Sequence, residues 1–202
     1  METVDLLIRD ALIVNEGASF RGWLAVADER IAAIGVGDAP AEVVASARSV
    51  EEAAGKTLLP GVIDEHVHTR DPGLTEKGDM ASESAAAAAG GVTSIIDMPN
   101  TRTATTTLAA LEAKEQRAAA VATANYAFYL GATNTNLDEL LRADYSRVAG
   151  VKVFLGSSTG NMLVDRRTAL DDIFGRVDAL IAVHAEDEAE IARCLPQDGL
   201  VV

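Results

Sequence analysis

Hydrophobic positions are arranged in two styles along this chain. Residues 4–8, 11–14, 22–26 and 30–35 form short apolar or alternating runs bounded by charged or glycine-containing turns, a pattern that predicts β-strands. The charged pair Arg9-Asp10 separates the first two runs, and residues 40–56 are weakly patterned, reading as a link with one short strand. From Thr57 onward the style changes. Nearly continuous apolar runs over 58–68, 91–98, 124–131, 150–155 and 179–185 alternate with helix-like segments over 77–89, 107–121, 137–143, 167–176 and 186–194. Repeated βα units with apolar strands predict a parallel sheet covered by helices. The expected organisation is a small β domain over 1–56 and a (β/α) domain over 57–202. A complete (β/α)8 barrel takes ~250 residues, so the second segment fits either an incomplete TIM-type barrel of about five βα units or an open doubly wound sheet. No G-x-G-x-x-G follows any of the runs, so dinucleotide binding is not signalled.

Composition narrows the function classes. Of 202 residues, 31 are acidic and 17 basic, giving a net charge of −14. That balance repels phosphates and disfavours nucleic acid as a partner. Hydrophobic residues make up 49% of the chain, enough for a buried core. No run reaches the ~18 apolar residues that span a bilayer, and the opening METVDLLIRD lacks a signal-peptide core. The single cysteine, Cys194, has no intramolecular disulfide partner and reads as a spectator thiol. A cytoplasmic protein acting on a small molecule is the expectation, with neither membrane nor nucleic acid involved.

Only three histidines occur, and two of them stand in Asp64-Glu65-His66-Val67-His68-Thr69-Arg70. Alternation along a strand predicts that Asp64, His66, His68 and Arg70 share one face. Two imidazoles two residues apart at a strand end can hold a metal ion from one side, although Glu65 suits the opposite, helix-covered face poorly. His184 closes the fifth run, just before Ala185-Glu186-Asp187. Parallel α/β sheets collect their strand C-termini on one edge, where active sites form, and this puts His184 on the same rim as the pair. Lys152 stands inside Val151-Lys152-Val153-Phe154-Leu155. A buried amine there is either a snorkelling edge lysine or a depressed-pKa amine able to form a carbamate with carbon dioxide. Met98-Pro99-Asn100-Thr101 and residues 156–162 follow two strands and are candidate substrate loops, with ordinary turns as the plain alternative.

These motifs together resemble the dihydroorotases of the amidohydrolase superfamily. The matching stretches are Pro60-Gly61-Val62-Ile63-Asp64-Glu65-His66-Val67-His68-Thr69-Arg70-Asp71-Pro72-Gly73, Met98-Pro99-Asn100-Thr101, Gly150-Val151-Lys152-Val153-Phe154-Leu155-Gly156 and His184-Ala185-Glu186-Asp187, in family order. The resemblance implies a (β/α)8 barrel with a small β-sandwich domain. It also implies two Zn2+ ions, one held by His66 and His68 and one by His184, bridged by a carboxylated Lys152. Arg70 and Asn100 match positions that bind the carboxylate of the substrate. The implied reaction is reversible hydrolysis of the cyclic amide of dihydroorotate to carbamoyl aspartate, in pyrimidine biosynthesis.

The chain departs from the family pattern in what it lacks. A further histidine ligand and the proton-shuttling aspartate belong to later strands, so no catalytic proton shuttle is expected within residues 1–202. The expectation is therefore an incomplete barrel, inactive alone, with exposed strand edges that drive self-association or pairing with a missing C-terminal half. Allantoinase and hydantoinase or dihydropyrimidinase chemistry are the neighbouring enzymatic readings. A non-catalytic scaffold or an inactive fragment is the alternative from another class.

Overall fold

The computed structural model describes residues 3–156, 162–186 and 188–194, and the chain forms two compact units, Met1–Pro60 and Gly61–Val202. The division falls slightly after the boundary expected at 56/57.

The first unit is a five-stranded sheet made of β1 (Val4–Asn15), β2 (Ala18–Ala27), β3 (Arg30–Val36), β4 (Ala47–Glu52) and β5 (Thr57–Leu58), with helix α1 (Ala41–Ser46) before β4. Its path is β3-β2-β1-β4, with β5 also on β1. The two hairpins turn through Glu16-Gly17 and Asp28-Glu29, all four residues at positive φ, as tight turns between twisted antiparallel strands require. Two sequence expectations are corrected here. The runs 4–8 and 11–14 are one strand, because Asp10 at φ 61 forms a bulge and the pairing with β2 resumes beyond it. The supposed link over 40–56 contains α1, whose Val43 and Val44 pack on the cluster of Val4, Leu7, Trp23 and Ala25.

The second unit alternates β6 (Val62–Val67), α2 (Met80–Ala89), β7 (Val92–Asp97), α3 (Leu108–Val121), β8 (Asn125–Gly131), α4 (Leu137–Arg142), β9 (Gly150–Phe154), α5 (Arg167–Arg176), β10 (Ile181–His184) and α6 (Glu188–Cys194). Two of the helices start where a side chain satisfies their first amides. Asp79 and Ser82 form a capping box on α2, and Thr107 accepts from the Ala110 N–H on α3. All ladders are parallel, and the strand order is β6-β7-β8-β9-β10 without a crossover. A doubly wound sheet would reverse its order at a switch point. Sequential order belongs to a segment of a (β/α)8 barrel, which settles the choice left open by the sequence pattern. The core lies between sheet and helices, where Ile95, Phe128, Leu130, Val151 and Val153 meet Met80, Leu111, Leu140 and Ile173.

Candidate metal centre

Since Val151 and Val153 of β9 lie in the helix-side core, Lys152 and Phe154 face the opposite, inner side. Lys152 is only 2% exposed. Its amine has no carboxylate partner among the described residues and stands 5.3 Å from the centre of the Phe154 ring. Burial lowers its pKa, favouring the neutral amine. Phe154 pairs in register with His184 of β10, and their rings are 6.0 Å apart. His184 Nε2 lies 3.3 Å from Glu186 Oε2.

At the end of β6, His66 and, just beyond the strand, His68 sit 5.2 Å apart, ring centre to ring centre. Strict alternation fails in this strand. Asp64 pairs with Ile95 and Val67 with Asp97, so three steps on β6 span two on β7. Ile95 belongs to the helix-side core and Val67 packs against it, so the bulge absorbs Glu65 and His66 together. Glu65 is close enough to Tyr129 of β8 to raise the pKa of its phenol, after burial. The misfit of Glu65 with a helix-covered face thus has a structural cause. The expectation that Asp64 shares the face of the histidines is corrected as well, since Asp64 pairs with Ile95 of the helix-side core. Asp64 accepts from the His66 N–H at 3.1 Å, and Arg70 lies beyond the strand at φ 65.

His66 is depressed in pKa first by burial and then by the charge of Lys152, with His184 acting in the same direction and Asp64 against it. β6 and β10 are the two ends of the strand order. Each parallel strand twists against the next, so a sheet of five sequential strands curls as a barrel segment does, and His66, Lys152 and His184 stand on three of its strands.

His68 is half-buried, and burial is the main cause lowering its pKa. Its Nδ1 lies 2.9 Å from Asn100 Oδ1. Arg70 is near enough to push the same ring further toward neutrality. Asn100, expected as a substrate contact, thus engages a histidine directly.

The donor chemistry fits a borderline transition metal such as zinc, which takes neutral imidazole nitrogen and anionic oxygen. His66 and His68 offer two imidazoles side by side, and the buried amine of Lys152, without a carboxylate partner among the described residues, is the group that carboxylation would turn into an anionic oxygen donor. Among the described residues, no three His, Cys, Asp or Glu side chains converge closely enough to enclose an ion unaided. The candidate loop residues 157–161, and Asp187 after Glu186, lie outside the described residues. A cavity of about 490 Å³ lined by Glu112, Glu115, Tyr126 and Arg147 includes the start of β8, whereas the histidines mark the strand C-termini.

Three residues important to this geometry carry no metal-binding signature. Asp97 at the end of β7 accepts from the Thr69 N–H at 2.7 Å and forms an ion pair with Lys114 of α3. Lys114 also donates to the Met98 carbonyl at 2.9 Å, and both charged side chains are 1% exposed. Glu186 stands beside His184. A charge inside an apolar run needs a reason, at Asp97 after Ile95-Ile96 as at Lys152.

The dihydro-orotase-like family profile matches residues 55–193, well over half of the chain. The chain belongs to that family. It is 36% identical to an allantoinase of Streptomyces avermitilis over 98% of its own length and 45% of the relative's. It is 33% identical to an L-hydantoinase of Paenarthrobacter aurescens, covering 93% of this chain and 41% of that one. A dihydroorotase of Halobacterium salinarum is 40% identical over 68% of this chain and 33% of the relative. The solved L-hydantoinase (dihydropyrimidinase) of Arthrobacter aurescens superposes with a TM-score of 0.85 at 32% identity, covering 95% of this chain and 43% of that chain. This family membership agrees with the half-barrel sheet, and the chain spans less than half the length of these relatives. No helix among the described residues is long and apolar enough to cross a membrane.

Proposed function

We propose that this chain supplies the part of a metal-dependent cyclic amidohydrolase that holds the His66-x-His68 pair, Lys152 and His184. The observation that carries the reading is the His66/His68 pair, ring centres 5.2 Å apart, at the end of the first strand of a parallel sheet whose fourth and fifth strands carry Lys152 and His184. His66 and His68 would hold one zinc ion and His184 a second. The neutral amine of Lys152 would add to carbon dioxide, forming an N–C bond and losing a proton, and the resulting carbamate would bridge the two sites. When bound, such ions supply Lewis acidity to an amide carbonyl and make water nucleophilic near neutral pH.

The chain's own residues prepare for this. Desolvation lowers the pKa of both His66 and His68, favouring the neutral form that donates a lone pair. Burial likewise favours the uncharged Lys152 that carboxylation requires. Arg70, beside His68, offers a guanidinium fork for an anionic substrate. Dihydroorotate, a cyclic amide bearing a carboxylate, is the substrate that this cation favours, with carbamoyl aspartate as product. A second reading, allantoin or a hydantoin, is favoured by the nearly chain-long match to an allantoinase and an L-hydantoinase.

The test uses the protein carrying this chain, with zinc and bicarbonate supplied, and follows ring opening of dihydroorotate, allantoin, hydantoin and dihydrouracil. Dihydroorotate should be opened fastest, and Arg70→Lys should weaken its turnover while zinc content stays unchanged. His66→Ala and His68→Ala should lower zinc content and turnover together. Full zinc occupancy in both histidine variants would refute the metal assignment. Equal turnover of dihydrouracil and dihydroorotate would refute the role given to Arg70.

A further inference from the structure

The end of β7 grips the residues around His68 one after another. Val67 O accepts from the Met98 N–H at 2.8 Å. His68 Nδ1 faces Asn100 Oδ1 at 2.9 Å. The Thr69 N–H donates to Asp97 Oδ1 at 2.7 Å. Lys114 closes the arrangement from α3, pairing with Asp97 and donating to the carbonyl of Met98. The residue before His68, its ring and the residue after it are thus each held by the segment Asp97–Asn100, and one buried ammonium braces two residues of that segment.

We infer that this segment, braced by Lys114, is a positioning element for His68, and that Asn100 selects the tautomer of its ring. The inference rests on the metal reading given above. It assigns Asn100 to the histidine, a different role from substrate carboxylate binding. The chemistry follows from atom types. A carbonyl oxygen only accepts, so a hydrogen bond to Asn100 Oδ1 requires the proton on Nδ1. Neutral imidazole carries one proton, and Nε2 is then left with its lone pair outward. Histidines that bind metals commonly donate their second ring N–H to such a partner, which fixes ring orientation and raises ligand basicity. The backbone clamps on Val67 and Thr69 hold the strand end in place while Asn100 sets the ring. Asn100 is therefore a positioning residue.

The tautomer can be measured without any metal. Long-range 1H–15N correlation spectra of the chain contain only three imidazoles, and His66→Gln and His184→Gln variants assign the His68 signals. His68 should be the Nδ1–H form in the unsubstituted chain and in Asn100→Asp, whose carboxylate also accepts. Asn100→Ala should release the ring to the Nε2–H form. Co2+ titration should then show a roughly 10–100-fold weaker affinity in Asn100→Ala, with Asn100→Asp close to the unsubstituted chain. A role in packing alone would lower thermal stability and leave the tautomer unchanged. An Nε2–H ring in the unsubstituted chain overturns the inference even if every variant fails to fold. So does an Asn100→Ala chain that keeps both the tautomer and the Co2+ affinity. A chain that takes up no Co2+ at all refutes the metal reading, while the tautomer result separately decides what Asn100 does.

Discussion

Replacing Lys114 by Met tests the buried ion pair behind the strand end. The side chains of Lys114 and Asp97 are each 1% exposed, and the ammonium also serves the Met98 carbonyl and stands 5.2 Å from the centre of the Phe128 ring. Methionine has a similar length and apolar character, so Lys114→Met opens little cavity. What it removes is charge. The Asp97 carboxylate keeps its bond from the Thr69 N–H but loses its counter-ion in a place that water does not reach. Removing one partner of a buried pair typically destabilises by about 3–5 kcal/mol. Against a typical domain stability of about 5–15 kcal/mol, that brings the second unit near its unfolding threshold. Burial lowers the pKa of Lys114 and the Asp97 charge opposes the shift, so the pair is a compromise between desolvation and attraction. The double variant Asp97→Asn/Lys114→Met removes both charges while its amide oxygen can still accept from Thr69, leaving unpaired polar groups that cost about 1–3 kcal/mol. Urea unfolding followed at 222 nm reads the helices, and among the described residues all but α1 lie in the second unit. The double variant should therefore be more stable than Lys114→Met alone. A single variant within about 1 kcal/mol of the unsubstituted chain, or a double variant no better than the single, would refute this account.

Two further substitutions probe other parts of the second unit. The Tyr145 hydroxyl donates to the Leu140 carbonyl at 2.8 Å and burial raises its pKa, so this group contributes stability below about pH 10 that is lost as pH rises through the folded-state pKa. Tyr145→Phe should cost about 0.5–1.5 kcal/mol at pH 7 and converge with the unsubstituted chain above pH ~10 in urea unfolding, whereas parallel stability curves would contradict the argument. Gly73 has φ 83, and a Cβ there would stand 1.7 Å from the Arg102 carbonyl oxygen, a backbone atom with little room to yield. Gly73→Ala should therefore lower stability by at least about 1–3 kcal/mol, and an unchanged denaturation midpoint would show that the Asp71–Gly73 loop adjusts freely.

The parts of the fold that were legible in the sequence are those where local pattern and tertiary packing agree. The run Val151-Lys152-Val153-Phe154 is flanked by a glycine and a turn, and it forms β9 as expected. Residues 167–176 form α5 at the expected bounds. Helix α1 was not legible for a physical reason. It is six residues long, begins after Pro40 and contains two β-branched valines, so it has little intrinsic helical stability. Packing of Val43 and Val44 on the Trp23 cluster supports it, and that contact depends on distant residues. The same holds for the division of β1 into two runs. Arg9-Asp10 carries turn-like composition, yet a bulge lets the strand continue through it.

The candidate site separates in the same way, and the separation explains why residue type was easier to read than role. Histidine and lysine in apolar strand ends are conspicuous because burying them needs a reason, and that reason is visible in one dimension. Which way they point is another matter. Period-two counting requires an unbroken ladder, and the bulge between Asp64 and Val67 inserts one residue just where the donors stand, so the count that places His68 correctly misplaces Asp64. Roles depend further on partners far away in the chain. Asn100 is 32 residues from the ring it contacts, and the Asp97 carboxylate reaches a backbone amide 28 residues earlier. Nothing local distinguishes an asparagine that binds a substrate from one that orients a histidine. The difference lies in whether a ring nitrogen sits within hydrogen-bonding distance of its carbonyl oxygen. A parallel sheet in sequential order makes such meetings systematic, because each strand end is carried beside the next. Chemistry-bearing residues at successive strand ends therefore have to be read as neighbours before they are read as individual ligands.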